Sequence, residues 1–248
     1  MTAMLRRRAL PVALGGALLL SAVSGCAEED DGEAAAPALE SSAPAPEDTP
    51  ATDDDLVAGL LPEDAFGPAA TVTDVDVREL SASASGAGVL PQGVTLTPAE
   101  CTEGLGKIQP DPVKFDAVAG RSAETPRTLT VQMLLEDGEV EAGSAADFET
   151  FLDRCSHVDI TAPDGTTGSL DLRPLEIPQV GDVTQGVAFT VTVGTPDGTG
   201  AAVNALMAVA VEGRRMVFLS QVAPDGAALD EAAFSDLFDQ AYEAQGDV

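Results

Sequence analysis

No tryptophan occurs among the 248 residues, and there is one tyrosine, Tyr242, and one histidine, His157. Without tryptophan, and with so little tyrosine, an aromatic platform of the kind that stacks on sugars or bases is hard to assemble. A single histidine rules out the two-histidine helix of a zinc protease. Basic residues are also few, 12 Lys and Arg against 42 Asp and Glu, for a formal net charge of -30. Such a surface repels nucleic-acid phosphates and anionic lipid headgroups, so nucleic acid is not an expected partner. The acids are spread along the chain and read as a solubilising surface. Cysteine is limited to three residues, at positions 26, 101 and 155. The apolar fraction, 44%, is sufficient for a folded core.

Long apolar runs are absent except at the start. Arg6, Arg7 and Arg8 precede an apolar stretch from Ala9 to Val23, shorter than the ~20 residues of a membrane-spanning helix. It closes on Val23-Ser24-Gly25-Cys26, which resembles the bacterial lipobox. Residues 1–25 therefore read as a lipoprotein signal peptide, cleaved between Gly25 and Cys26. The Cys26 thiolate takes a diacylglyceryl group as a thioether, and the small residues before it give the signal peptidase access. The expected location is the outer face of a bacterial cell membrane, held there by lipid; the acyl chains contribute ~0.8 kcal/mol per buried methylene.

Residues 26–52 comprise the lipidated cysteine and an acidic Ala/Pro-rich tether without hydrophobic periodicity, which reads as disordered and spans about 30 Å. Residues 53–248 form the expected folded domain. Thr52 and Asp55 cap a first short helix with Leu56, Val57, Leu60 and Leu61 on one face. Thr71 to Leu80 alternates as a strand, and Ser81 to Gly93 reads as a loop. Thr97-Pro98-Ala99-Glu100 reads as a capping box opening a helix with Cys101, Leu105 and Ile108 on one face. Leu129, Val131, Met133 and Leu135 mark a strand. Ser144 and Asp147 open a helix whose stripe is Phe148, Phe151, Leu152 and Cys155. Thr167 to Leu172, Val187 to Val193, Ala201 to Val211 and Arg214 to Val222 then read as strands of an antiparallel meander. A last helix, from about Asp230 to Gln245, carries Phe234, Leu237, Phe238 and Ala241. The predicted fold is α+β: a twisted antiparallel sheet with flanking helices, one domain after the tether.

With Cys26 consumed by lipid, Cys101 and Cys155 remain outside the cytosol, where thiols are usually paired, and a disulfide between them is the simplest account. A metal site lacks further ligands, and a redox pair lacks the C-x-x-C spacing. No G-x-S-x-G or S-x-x-K motif accompanies His157, which reads as the start of a strand. Gly198-Thr199-Gly200 reads as a hairpin turn, and Asp53-Asp54-Asp55 as acids at a helix N-terminus. No catalytic residue, metal or cofactor is expected.

Leu60-Leu61-Pro62, Thr97-Pro98-Ala99-Glu100-Cys101, Phe148-Glu149-Thr150-Phe151-Leu152 running into Cys155, and Gly181-Asp182 before a strand occur in that order. From about Asp53 onward the chain resembles the PknH-like extracellular sensor domain of actinobacterial kinases and lipoproteins. The resemblance implies a twisted antiparallel sheet with flanking helices and a cleft for a ligand, which it leaves unnamed. The chain lacks the second cysteine pair that kinase sensors often carry, and it lacks a tryptophan near Cys155.

The function expected from these features is a non-enzymatic, sensor-like binding module, with an apolar envelope small molecule as its ligand. The alternative is an accessory protein docking onto an envelope protein complex, and a third is a hydrolase built on His157. The ligand wall is expected between the final helix and the strands from Val187 to Val222, where Ala208, Val209, Ala210, Val217 and Leu219 would line a cleft suited to an acyl chain.

Overall fold

The computed structural model describes residues 52–79, 93–105, 108–136, 145–194 and 200–246, all within the unit Asp48–Val248. The signal segment 1–25, Cys26, the tether up to residue 51, most of the loop 81–93, Ser144 and the turn at 195–199 lie outside the described residues. Among those described, no helix is long and apolar enough to cross a membrane.

Nine strands form a single antiparallel sheet: β1 (Thr71–Asp74), β2 (Thr95–Thr97), β3 (Ala117–Glu124), β4 (Leu129–Glu136), β5 (His157–Thr161), β6 (Thr167–Pro174), β7 (Val183–Gly194), β8 (Gly200–Glu212) and β9 (Arg215–Ala223). Their order across the sheet is β1-β3-β4-β9-β8-β7-β6-β5-β2. Helices among the described residues include α1 (Asp53–Val57), α2 (Cys101–Leu105), α3 (Ala145–Cys155) and α4 (Glu231–Gln245), with 3-10 turns at Glu63–Phe66 and Pro112–Lys114. The α+β class and the antiparallel sheet expected from the sequence are both present.

Alternation along the strands sends side chains to two separate cores. One face carries Met133, Leu135, Val158, Leu170, Leu172, Val187, Met207 and Phe218 against α2 and α3, with Cys101 and Cys155 in the same cluster. The two cysteines are bonded to each other, 0% and 2% exposed. The opposite face carries Ala117, Ala119, Leu134, Ala208, Ala210, Val217 and Leu219, packed with Leu56 of α1 and with Phe234, Phe238 and Ala241 of α4. Small strand residues there receive the phenylalanine rings of the helix, which is how large and small side chains fill an interior without voids.

Several expectations are corrected. Helix α1 ends at Val57, and Leu60 and Leu61 are buried from a non-helical stretch in which Leu61 N donates to the side chain of buried Gln132 at 2.9 Å. Strand β1 ends at Asp74 rather than running to Leu80. Thr97 is the last residue of β2, paired with Asp159, and not a helix cap; ladder pairing prevails over the local capping pattern. Ile108 packs on the core from beyond the end of α2. Strand β3 was not anticipated. Its residues Ala117 to Gly120 are buried on both faces, which erases the alternation that marks a half-exposed strand.

Candidate functional site

Ala208, Ala210, Val217 and Leu219, expected to line a cleft, are 0 to 2% exposed and belong to the packed core beneath α4. Val209 lies on the other face of the sheet and packs against the disulfide-side core. The wall predicted from Val187 to Val222 is thus closed at its centre. The openings lie beside it, on either side of the segment that joins β9 to α4.

That segment is tied down by Asn204 of β8. Its Nδ2 donates to the carbonyls of Gly226 at 2.8 Å and Ala227 at 3.0 Å, while Thr190 Oγ1 donates to its Oδ1 at 2.7 Å. Gly226 has φ +71° and lies so close to β8 that a Cβ would meet the Ala202 carbonyl at 2.9 Å, so glycine is required there. Asp230 then caps α4 by accepting from Ala233 N at 3.1 Å. Residues Ala228 and Leu229 form a wall common to two cavities.

The larger cavity, about 410 Å³, opens between α4, the 3-10 turn and the β3-β4-β9 part of the sheet. Ala65, Phe66, Ala123, Leu229, Ala233, Phe234 and Leu237 supply its apolar surface. Thr125, Arg127, Thr128, Thr130, Gln221 and Gln240 supply polar groups. Its volume lies within the range of small-molecule sites. The turn between β3 and β4 is fixed by Thr125, whose Oγ1 accepts from Arg127 N at 3.2 Å and Thr128 N at 2.9 Å and lies 2.8 Å from Thr128 Oγ1. Gln221 Nε2 donates to Thr130 Oγ1 at 3.2 Å. These hydroxyls satisfy one another, and the guanidinium of Arg127 stands at the pocket with no ion pair or hydrogen bond among the described residues.

The smaller cavity, about 270 Å³, lies over β6, β7 and β8. Arg173 and Glu231 form an ion pair along its wall, Nη1 to Oε2 at 3.1 Å, so its charged groups are already matched.

His157 begins β5, as expected, and is exposed. Its Nδ1 lies 2.6 Å from Asp171 and its Nε2 3.4 Å from Asp159. The hydrogen bond that Asp171 accepts from the ring, then its charge, raise the imidazole pKa above its ordinary value, with a smaller contribution from Asp159. A folded-state pKa that is raised favours the fold at low pH, and that contribution fades as pH rises through it. A hydrolytic triad needs a serine hydroxyl on Nε2, where this ring meets a second carboxylate. The hydrolase arrangement is not formed.

Asp53 and Asp55 are structural. Asp53 accepts from Val118 N at 2.8 Å and pairs with Arg78 at 2.6 Å, and Asp55 completes the capping box with Thr52. Among the described residues no group of three His, Cys, Asp or Glu could hold a metal ion. Among the described residues the large exposed apolar side chains, Val57, Val113, Leu129 and Val193, are dispersed over four elements.

The chain is similar in fold to two solved mycobacterial structures. One is the extracellular domain of PknH from Mycobacterium tuberculosis, 13% identical with a TM-score of 0.45, covering 81% of this chain and 99% of that one. The other is an uncharacterized Rv0999 ortholog from Mycobacterium smegmatis, 24% identical with a TM-score of 0.49, covering 73% of this chain and 92% of the other. No protein-family model and no curated protein sequence matches it.

The pocket residues Phe66, Arg127, Gln221 and Gln240 were not anticipated from sequence. The Thr125-Pro126-Arg127-Thr128 tetrad carried a usable signal, since a proline between hydroxyl residues marks a side-chain-fixed turn. Nothing local indicates that the turn stands beside α4.

Proposed function

We propose that the chain is a non-enzymatic binding domain, lipid-anchored through Cys26 on the outer face of the cell membrane, that takes a small molecule in the pocket beneath the first turns of α4. The observation that carries this is the pocket itself: about 410 Å³ of space with a mixed polar and apolar lining and a fixed polar turn at its edge. The closed core beneath Phe234 and Phe238 gives it a rigid floor, and the bonds from Asn204 fix its back wall. The lipobox and the acidic tether support delivery to, and suspension from, the membrane surface.

Ala233 is exposed and lines the cavity, so Ala233→Trp fills the space without disturbing the core. Native mass spectrometry of the mature protein mixed with envelope lipid extract is expected to show a retained small molecule on the wild type and none on Ala233→Trp. A wild-type protein that retains nothing from the extract removes the proposal. For the anchor, Cys26→Ala is expected to abolish incorporation of a fatty-acid analogue and to shift the protein out of the membrane fraction or leave it as an uncleaved precursor. Label retained by the variant would count against lipidation at Cys26.

A further inference from the structure

We propose that the pocket selects an amphipathic anion, an aliphatic monocarboxylate of medium chain length, whose carboxylate sits on Arg127 and whose tail lies between Phe66 and Leu237. This rests on the pocket beneath α4 being the binding site. Four arginines of the domain are matched by carboxylates: Arg78 by Asp53, Arg121 by Asp74, Arg173 by Glu231 and Arg215 by Glu136. In a chain with 42 Asp and Glu, carboxylates are abundant, yet Arg127 has none among the described residues; Arg154, which also lacks an ion pair there, donates to the Thr150 carbonyl at 3.3 Å and does not line the pocket. Its backbone is held beside the pocket, because its N–H donates to Thr125 Oγ1 at 3.2 Å, and the exposed side chain starts from that fixed point. A planar guanidinium offers a forked pair of donors that matches a carboxylate in geometry as well as charge.

The other charged group of the lining, Asp230, is committed to capping α4. The hydroxyls of Thr125, Thr128 and Thr130 are engaged with one another or with Gln221, so they make no demand for a polar ligand body. What remains for the ligand is the Arg127 cation beside a lining of mixed polar and apolar character, in which Phe66, Leu229 and Leu237 supply the apolar contacts. A space of about 410 Å³ corresponds to on the order of a dozen water volumes, enough for a chain of roughly eight to ten carbons. A neutral apolar molecule would fill the same space and leave the guanidinium unmatched, and a cationic one would be repelled by it.

The test uses the mature full-length protein and three probes of equal chain length, octanoate, octanol and octylammonium, with dissociation constants from titrations followed by amide NMR shifts. Octanoate is expected to bind at least tenfold more tightly than octanol, and octylammonium most weakly. Arg127→Gln is expected to bring octanoate to the level of octanol while leaving octanol unchanged, and Arg127→Lys to restore part of the difference. Ala233→Trp is expected to weaken octanoate and octanol alike. Arg127 is exposed, and an unchanged melting temperature confirms that its substitution leaves the fold intact. If octanol binds, is displaced by Ala233→Trp, and octanoate is no tighter or is indifferent to Arg127→Gln, the pocket stands and the carboxylate inference falls. Octylammonium as the tightest probe overturns it equally. If none of the three binds, this inference falls, while the wider binding role is decided by the lipid-extract experiment.

Discussion

Cys155→Ser is expected to lower the stability of the domain by about 4 kcal/mol, the chain-entropy value for a crosslink that closes a loop of this length. The partners are 54 residues apart, and both are buried within the core on the α2 and α3 face of the sheet. For a domain of this size that loss corresponds to a fall in melting temperature of roughly 8 to 16 °C. Short α2, with Gly104 within it, has little helical stability of its own, so the bond to α3 is its main tether. Thermal and urea unfolding of wild type and variant measure the effect. An unchanged melting temperature, or two alkylatable thiols at positions 101 and 155 in the native oxidised protein, would refute the structural role.

Phe238→Ala is expected to cost about 3 to 5 kcal/mol, the range for removing a fully buried aromatic ring. Phe238 is 0% exposed and belongs to the core formed with the small residues Ala208 and Ala210, which cannot move in to fill the space it leaves. Unlike Phe234 it does not line the larger pocket, so its effect belongs to the docking of α4. Because α4 also roofs the pocket, the variant is expected to loosen ligand retention in proportion to its loss of stability. A urea midpoint corresponding to less than about 1 kcal/mol would mean that α4 is held by something other than this packing. Phe238 and the disulfide lie on opposite faces of the sheet and share no partner, so their effects should add to within about 0.5 kcal/mol. The double variant should therefore lose about 7 to 9 kcal/mol, a loss comparable to the roughly 5 to 15 kcal/mol that ordinarily holds a domain folded.

The elements that were legible are those with one buried face. Helix α3 shows its stripe through Phe148, Phe151, Leu152 and Cys155, and α4 through Phe234, Phe238 and Ala241, because a helix against a sheet repeats its apolar residues every three or four positions. The hairpin joining β8 and β9 was legible for the related reason that the chain can turn tightly at Gly213, which has φ +56° and follows Glu212, the last residue of β8 paired with Arg215. Strand β3 was illegible, since a strand buried on both sides and built of alanine and glycine shows no period. The cap signal at Thr97 was outweighed by pairing with a strand distant in sequence.

The candidate site divides in the same way. The sequence reading placed the expected ligand wall at the final helix and the strands beneath it, and the structure closes the part of that wall around Ala208 and Ala210. An alanine-rich strand offers the same side chains whether phenylalanines cover it or not. The coverage of Ala208 and Ala210 was decided by where α4 sets down its two rings, and the opening by the neighbouring β3–β4 turn and the Asn204-bound segment.

What the sequence determined by itself is therefore what short-range chemistry can encode: amphipathic helices, antiparallel hairpins and two cysteines destined for the core. What only the tertiary structure decided is which surfaces stay open and which charges stay unmatched. A pocket is the space left when elements far apart in the chain fail to close on one another, and an arginine is unmatched only when no carboxylate from any of them reaches it. Both are properties of the assembled sheet, and no single stretch of the chain carries them.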